Sequence, residues 1–346
     1  MLITKPDYFD DFRCIAGDCP DSCCKEWDVQ IDAVSAQLYR SLSGDLGNRL
    51  REVLVEEDGE TVMTIINGRC PMWRNDGLCR IQAELGESAL CKTCREFPRL
   101  THDYGDFLEQ QLELSCPEAA KYILSQTQAL MIDTEADGGE EPEYDEDAMT
   151  VLKHSRKQML EILFDPSRSV PEALAAALLY GYQSQSELDG EQVQPFDANT
   201  ALDSVREFLK DADATEMTNF FLSLEVLTPE WKALLQSPAP APWSDHHRAL
   251  AAYLVQRYWL QAVSDYDLYC RVKFILIACL LVKHLGGDIF RTAQLFSKEI
   301  ENSINNVEAL LDAAYAHPAF TDDKLLGMLL NQKQHVKDLN KCEVIL

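Results

Sequence analysis

Residues 14–24 read CIAGDCPDSCC, which sets Cys14, Cys19, Cys23 and Cys24 within one short loop. Cys70, Cys79, Cys91, Cys94 and Cys116 follow, and only Cys270, Cys279 and Cys342 lie later in the 346-residue chain. Nine cysteines fall before residue 117, where average usage predicts about one or two per ~100 residues. Thiolates in such numbers suit zinc or an iron–sulfur cluster, each of which takes about four sulfurs. Short loops let sulfurs converge at small entropic cost. The N-terminal third is therefore expected to fold around a cysteine-ligated metal centre, and nine thiols suffice for up to two four-sulfur sites.

Working outward, the first cluster spans Cys14-x4-Cys19-x3-Cys23-Cys24 and the second is Cys70-x8-Cys79, Cys91-x2-Cys94 and Cys116. Cys19, Cys70 and Cys116 each precede a proline, which stiffens the backbone beside a ligand and recurs in ferredoxin runs. Side chains of neighbouring residues usually diverge, so Cys23 and Cys24 are expected to serve different irons or different sites. Only His102 of the seven histidines lies in this region, which disfavours mixed Cys/His sites. Cys270 and Cys279 sit in apolar helical surroundings and read as small buried hydrophobes; Cys342 reads as a free thiol near the terminus.

Composition narrows the rest. The chain is 46% hydrophobic, enough for a real core, and carries a formal net charge of -27. That field repels phosphate backbones, so nucleic acid is not expected as a partner; it attracts lysine-bearing ones. The N-terminus has no apolar signal region. The apolar run 274–282 is too short to span a bilayer, so no membrane role is expected. Clustered cysteines without a secretion signal fit a reducing, cytoplasmic setting and metal chemistry rather than disulfides.

The expected fold is mainly α. A cysteine-rich metal-binding domain with minor β (1–125) precedes an acidic linker (126–147) and packs on an all-α helical domain (148–346). Residues 28–32 (DVQID) alternate like a short strand. Residues 33–42 suit a helix capped near Asp32, and Pro117 stands at the first turn of another. Residues 133–147 hold nine acids and no base, which reads as a solvated linker. Helical periodicity predicts segments near 148–164, 171–182, 201–209 and 216–224, one long stretch over 245–285 ended by Gly286-Gly287, a further helix over 288–316, and a last one from Thr321. Position 26 is Glu26, so the Cx3Cx2C pattern of radical S-adenosylmethionine enzymes is broken. No Rossmann glycine turn, P-loop or GxSxG elbow is present.

In order, the phrases CIAGDCPDSCCKEWDVQID (14–32), CPMWRNDGLCRIQAELGE (70–87), TCREFPR (93–99) and LELSCPEAAKYIL (112–124) resemble the flagellin lysine-N-methylase family. A looser pattern is shared with cysteine-cluster domains described as zinc- or iron-chelating. The resemblance covers roughly residues 8–125, with a weaker likeness at SKEIENSINN (297–306). It implies a methyltransferase that moves a methyl group from S-adenosylmethionine to lysines of flagellin, and an iron–sulfur cluster, 4Fe-4S by the family pattern, with zinc as the alternative metal. The matching ligand candidates are Cys14, Cys19, Cys23, Cys24, Cys70, Cys79, Cys94 and Cys116; Cys91 matches no family cysteine. Trp27, Asp32, Gly77, Arg95, Pro98 and Arg99 also match. Trp27 suits packing over the metal site, Asp32 a helix cap, Gly77 and Pro98 turns, and Arg99 either a carboxylate partner or an offset to thiolate charge.

Methyl transfer needs a neutral amine, and free lysine has a pKa of about 10.4. A site must desolvate the amine or supply a base, and no single catalytic base stands out in the sequence. Arg257, Asp265 and Glu301 are polar positions on otherwise apolar helices and are the pocket-lining candidates, although buried or surface salt bridges account for such residues better. The rival readings are a non-catalytic metal carrier or assembly factor and a redox carrier or sensor. The sequence leaves oligomeric state open.

Overall fold

The computed structural model describes residues 1–24, 29–57, 59–209 and 212–330. Trp27 and Cys342 lie outside them. The chain is mainly helical, with small sheets confined to its N-terminal part. The strands are β1 (Leu2–Pro6), β2 (Val29–Ile31), β3 (Leu54–Glu57), β4 (Glu60–Met63), β5 (Arg99–Asp103), β6 (Phe107–Leu112) and β7 (Met131–Glu135). They form a four-stranded sheet in the order β5-β6-β1-β7 and a three-stranded sheet in the order β2-β4-β3.

The smaller sheet has its own core. Val29 and Ile31 on β2 face the helices Ala33–Ser41 and Gly44–Val53 through Tyr39 and Leu50, and Met63 and Met72 complete the packing. Asp32 ends β2 and starts the first of these helices, because its carboxylate accepts the Ser35 N–H at 3.0 Å. The larger sheet belongs to a different core, which joins Tyr8, Phe12, Phe107 and Leu112 to Trp231, Trp259 and Phe274 of the helical part.

In the larger sheet β1 runs parallel to β6, with Leu2 opposite Phe107, and antiparallel to β7, with Leu2 opposite Glu135. Alternation along β6 turns Phe107, Glu109 and Gln111 to the buried side. Glu109 is accommodated there because Arg156, on the helix Glu146–Leu163, meets it with two hydrogen bonds of 2.8 and 2.6 Å. Within the acidic stretch, Met131–Glu135 is β7, an edge strand whose charges face outward. Asp145 then caps the next helix through the Ala148 N–H at 3.0 Å.

The helical part is organised on Leu268–Leu285, buried along almost its whole length. The stretch 245–285, read as one helix from periodicity, is two. The helix Asp245–Tyr258 passes through a 3-10 turn at Leu260–Val263, the chain reverses at Tyr266 with φ of 59°, and Asp267 caps the new helix through Cys270 N–H at 3.1 Å. The stretch 288–316 likewise divides into Ile289–Phe296, a π-helical turn Ser297–Glu301 and Ile304–Ala316. At Gly286, φ is +68° and a Cβ would collide with the Ala239 carbonyl oxygen, so only glycine lets this helix end against the 238–242 segment. Among the described residues no helix is long and apolar enough to cross a membrane.

Candidate metal centre and the charge network beside it

None of the nine N-terminal cysteines is in a disulfide; Cys70 and Cys91 lie in the core of the smaller sheet and Cys116 in the larger core. Three stand at helix N-caps: Cys79 before Arg80–Leu85, Cys91 before Lys92–Glu96 and Cys116 before Pro117–Leu124. Amide N–H groups at these ends point toward the sulfurs. The amides nearest these sulfurs are those of Ile81 and Gln82 at Cys79, Cys94 at Cys91, and Glu118 and Ala119 at Cys116, each close enough to favour the thiolate without a cap hydrogen bond. The three Cys-Pro pairs share a device. Proline lacks an N–H, and the amide after it is the one that acts on the sulfur: that of Asp21 lowers Cys19, that of Met72 lowers Cys70 and that of Glu118 lowers Cys116. Ala16 N–H likewise reaches Cys14 Sγ at 3.4 Å. Donors aimed at sulfur favour thiolate over thiol, which is the ligand form.

Burial works the other way. It pushes Cys70 up to about 12 and Cys116 up to about 11, despite their amide donors. The Cys23 thiol donates to Cys24, which holds Cys24 down to about 7 and raises Cys23; Cys94 does the same for Cys91. Cys91 is buried, whereas Cys94 is exposed. Cys91 thus lies inside the array, although it matches no family cysteine.

Among the described residues no three Cys, His, Asp or Glu side chains close tightly enough to hold a metal ion. A tetrahedral zinc would need sulfurs ~4 Å apart, from a Zn–S bond of about 2.3 Å. An iron–sulfur cluster spaces them wider, because each thiolate binds a different iron. The donor set fits a thiolate-bound metal in chemistry: unbridged sulfurs, amide donors beside them, and buried walls from Met63, Met72 and Ile81. Cys70 Sγ lies 3.7 Å from Met63 Sδ.

The helical part grips the first cysteine loop through Asp21. This buried carboxylate accepts Arg291 Nη1 at 2.6 Å, Gln294 Nε2 at 2.8 Å and Lys298 Nζ at 3.3 Å. Gln294 Nε2 also donates to the Ser115 carbonyl at 2.8 Å, next to Cys116. Gly77, at φ of +79°, rests against Gly17, where a Cβ would come within 3.2 Å of the Gly17 Cα; this contact seats the 74–78 turn on the first loop.

Residues 113–116 connect the thiols to a buried charge network. Arg257 Nε lies 3.2 Å from Glu301 Oε1, and Arg257 Nη2 lies 3.8 Å from Glu113 Oε1. Arg257 Nη1 donates to Tyr253 Oη at 2.8 Å, Leu114 N–H donates to the same oxygen at 3.3 Å, and Tyr258 Oη donates to Glu301 at 3.1 Å. The Glu301 side chain is 0% exposed. Burial opposes the charge on Arg257, yet Glu301, Tyr253, Tyr258 and Glu113 together raise its pKa well above the ordinary value. Glu113 is raised by burial, partly offset by Arg257. Gln111 and Ser115 bear buried polar side-chain atoms with no hydrogen-bond partner among the described residues, as do Ser297 and His102. Tyr253 also lines a small surface cleft with a cavity volume of about 10 Å³, together with Pro6, Tyr8, Ile123, Leu130 and Gln256.

The structure therefore joins two of the sequence-predicted pocket residues, Arg257 and Glu301, and separates the third. Asp265 pairs with Arg271 at 2.8 Å in the exposed turn before Leu268–Leu285. Asp32, besides capping its helix, accepts Lys92 N–H at 2.8 Å and so braces the turn that carries Cys91 and Cys94; these bonds lower its pKa to about 2. Arg99 lies over the rings of Phe9 and Phe12 and donates to the Phe12 carbonyl at 3.4 Å. Glu113, Tyr253 and Tyr258 were not singled out from sequence. The LELSCP phrase that contains Glu113 was the available signal.

A thiol-rich N-terminal unit set on a helical body, with a buried Arg–Glu–Tyr network at their junction, is the class that the fold and site define. Three curated relatives match. Flagellar biosynthetic protein FliU of Salmonella muenchen is 30% identical over 139 residues, which is 38% of this chain and 82% of that protein. The lysine-N-methylases of Salmonella choleraesuis (strain SC-B67) and Salmonella typhimurium (strain LT2) are each 31% identical over 139 residues, 38% of this chain but 35% of their own length. The chain belongs to the family of FliU and these lysine-N-methylases. No family model matches it, and no solved structure does.

Proposed function

We propose that this chain is a protein-lysine N-methyltransferase that uses S-adenosylmethionine, takes flagellin lysines as its acceptors and carries an iron–sulfur cluster on its N-terminal thiolates in a reducing, cytoplasmic setting. The observation that carries the reading is the family's cysteine array set, through residues 113–116, against a buried carboxylate network. The names of the lysine-N-methylase relatives support lysine N-methylation, and that of FliU supports a flagellar role.

The co-substrate supplies an electrophilic methyl group; the chain's residues must deliver a neutral amine. The net charge of -27 concentrates lysine-bearing partners at the surface. Apolar surroundings at the acceptor amine would disfavour its ammonium form. Glu113, raised by burial, is the candidate proton acceptor. Arg257 then balances the resulting carboxylate. Gln111 and Ser115 offer polar atoms to a bound ligand on the same strand end. The cluster would take about four thiolates from among Cys14, Cys19, Cys23, Cys24, Cys70, Cys79, Cys94 and Cys116, and would supply iron at this junction and lock the loops around it.

A second reading rests on coverage. The match spans most of FliU but about a third of the methylases, so the shared segment is one part of the latter. That reading makes the chain a metal-binding flagellar biosynthesis factor without transferase activity. Calorimetric titration of the anaerobically purified protein with S-adenosylmethionine separates the two. Saturable binding at one site per chain supports the transferase; metal-loaded protein that gives no binding heat and no thermal shift rejects it in favour of the second reading.

A further inference from the structure

The large majority of buried polar side chains in folded proteins are hydrogen-bonded. Where the larger sheet meets the helical part, four depart from that rule among the described residues: Gln111 through both amide atoms, Ser115 and Ser297 through their hydroxyls, and His102 through Nε2. Gln111 is 1% exposed, Ser115 5% and Ser297 0%, so solvent does not serve them, and each bears the full desolvation of its polar group. Their places are fixed by bonded neighbours. Gln111 sits on the buried face of β6 opposite Leu100, with His102 two residues along β5. Residues 113–115 are held from both sides. Glu113 N–H donates to the Pro98 carbonyl at 2.7 Å, Leu114 N–H to Tyr253 Oη at 3.3 Å, and the Ser115 carbonyl accepts Gln294 Nε2 at 2.8 Å. Ser297 follows Gln294 by one turn, precedes Glu301 by another, and opens the π-helical turn Ser297–Glu301. It therefore lies between the side chain that touches Ser115 and the one that touches Arg257. Single π turns occur frequently at functional sites.

The charges beside these atoms narrow the ligand. One guanidinium, Arg257, faces two carboxylates: Glu301 at 3.2 Å and Glu113 at 3.8 Å, the second beyond hydrogen-bond length. A bare anion such as phosphate would bring a third negative group to one buried cation. An apolar ligand would leave every orphaned amide and hydroxyl unpaired. A lone ammonium has donors only and would leave the Gln111 Nε2 donor unmet. A group that carries an ammonium and a carboxylate on one carbon uses donors and acceptors together. We propose that Gln111, Ser115 and Ser297, with Arg257 and Glu301, form a subsite for a zwitterionic α-amino-acid group, the methionyl end of S-adenosylmethionine. Its ammonium meets Glu301 and Gln111 Oε1; its carboxylate takes the two serine hydroxyls, Gln111 Nε2 and Arg257 Nη2. S-adenosylmethionine as the source of this group rests on the function proposed above, whereas recognition of the group itself does not, because free methionine carries it too.

The test is equilibrium dialysis of the full chain, purified anaerobically, against S-adenosylmethionine, L-methionine and 5′-methylthioadenosine, which keeps the nucleoside end but has no amino-acid group. Gln111→Met and Ser297→Ala delete orphaned groups with little change of shape. Each should weaken the two amino-acid probes by about tenfold or more and leave methylthioadenosine unchanged. Each should also keep or raise the thermal midpoint of the unliganded chain, because no protein partner is lost. A lowered midpoint with unchanged binding would make these groups structural and overturn the proposal. Equal weakening of methylthioadenosine would put the nucleoside here and overturn it too, as would an unmodified chain that binds neither amino-acid probe. S-adenosylmethionine bound equally by variants and unmodified chain sinks the subsite and leaves the transferase reading standing. L-methionine bound by the unmodified chain and lost in the variants, with no binding of S-adenosylmethionine, keeps the subsite for a free amino acid and sinks the transferase reading. If either variant loses its helical circular dichroism, Ser115→Ala takes its place.

Discussion

Replacing Arg257 by alanine removes the cation that serves two buried carboxylates. The Glu301 side chain is 0% exposed and that of Glu113 is 12% exposed. Without the guanidinium, Glu301 keeps the Tyr258 hydroxyl at 3.1 Å and Tyr253 at 3.5 Å, which are hydrogen bonds but no counter-charge. Stranding a buried charge in this way costs about 3–5 kcal/mol. The double variant Arg257→Met/Glu301→Met removes both charges and should recover a coupling of ~2 kcal/mol relative to the sum of the singles. The pH dependence has a definite sign. Glu113 is already raised by burial and held back by Arg257, so losing Arg257 raises it further. A carboxyl with a raised folded-state pKa contributes stability below its unfolded pKa and loses it as pH climbs through the folded value. The penalty in Arg257→Ala should therefore be smaller at pH 5 than at pH 8. Urea unfolding followed by far-UV circular dichroism at both values measures this. A loss below about 1 kcal/mol, or an equal loss at both pH values, would refute the description of this network as a buried, charge-paired unit.

Three further outcomes are expected. Burial holds His247 down to about 4 from 6.5, so the folded state releases a proton that the unfolded state keeps; stability should fall as pH drops from about 6.5 to 4, by up to about 3 kcal/mol, and an acid titration of His247→Gln should show a shallower fall. Asp32→Ala removes the acceptor for both Ser35 and Lys92 N–H groups and should cost ~1–2 kcal/mol at neutral pH, measured by urea unfolding; because the folded pKa is lowered to about 2, the wild-type advantage should fade as pH falls below about 4 toward 2. Asp21→Ala releases Arg291, Gln294 and Lys298 from the first cysteine loop; a destabilisation of ~2–3 kcal/mol with faster chelator-driven metal loss is expected, and unchanged metal retention would count against the clamp.

The helices and the cysteine array were legible in the sequence because their signals are local. Caps at Asp32 and Pro117 and the glycine stop at Gly286 act within one turn of the residue that carries them. The larger sheet was not legible. β1 pairs with β6 across about a hundred residues of chain, and the buried face of β6 carries Glu109 and Gln111, so its polarity pattern reads inverted. Arg156, supplied by a distant helix, makes Glu109 tolerable there. The break inside 245–285 was hidden because its cause, a left-handed Tyr266, is a residue type that rarely adopts that conformation. Asp265 and Glu301 look alike in sequence, each an acid among apolar neighbours. Tertiary structure separates them, sending one to an exposed turn with Arg271 and the other to the centre of the Arg257 network.

The central claim is tested most directly by incubating the anaerobically purified chain with methyl-labelled S-adenosylmethionine and purified flagellin, then mapping label by peptide mass spectrometry. The account predicts methyl increments on flagellin lysine ε-amines that depend on enzyme concentration, with kcat/KM reduced at least tenfold in Glu113→Gln while co-substrate binding persists. Flagellin left unlabelled by metal-loaded, co-substrate-binding protein would contradict it.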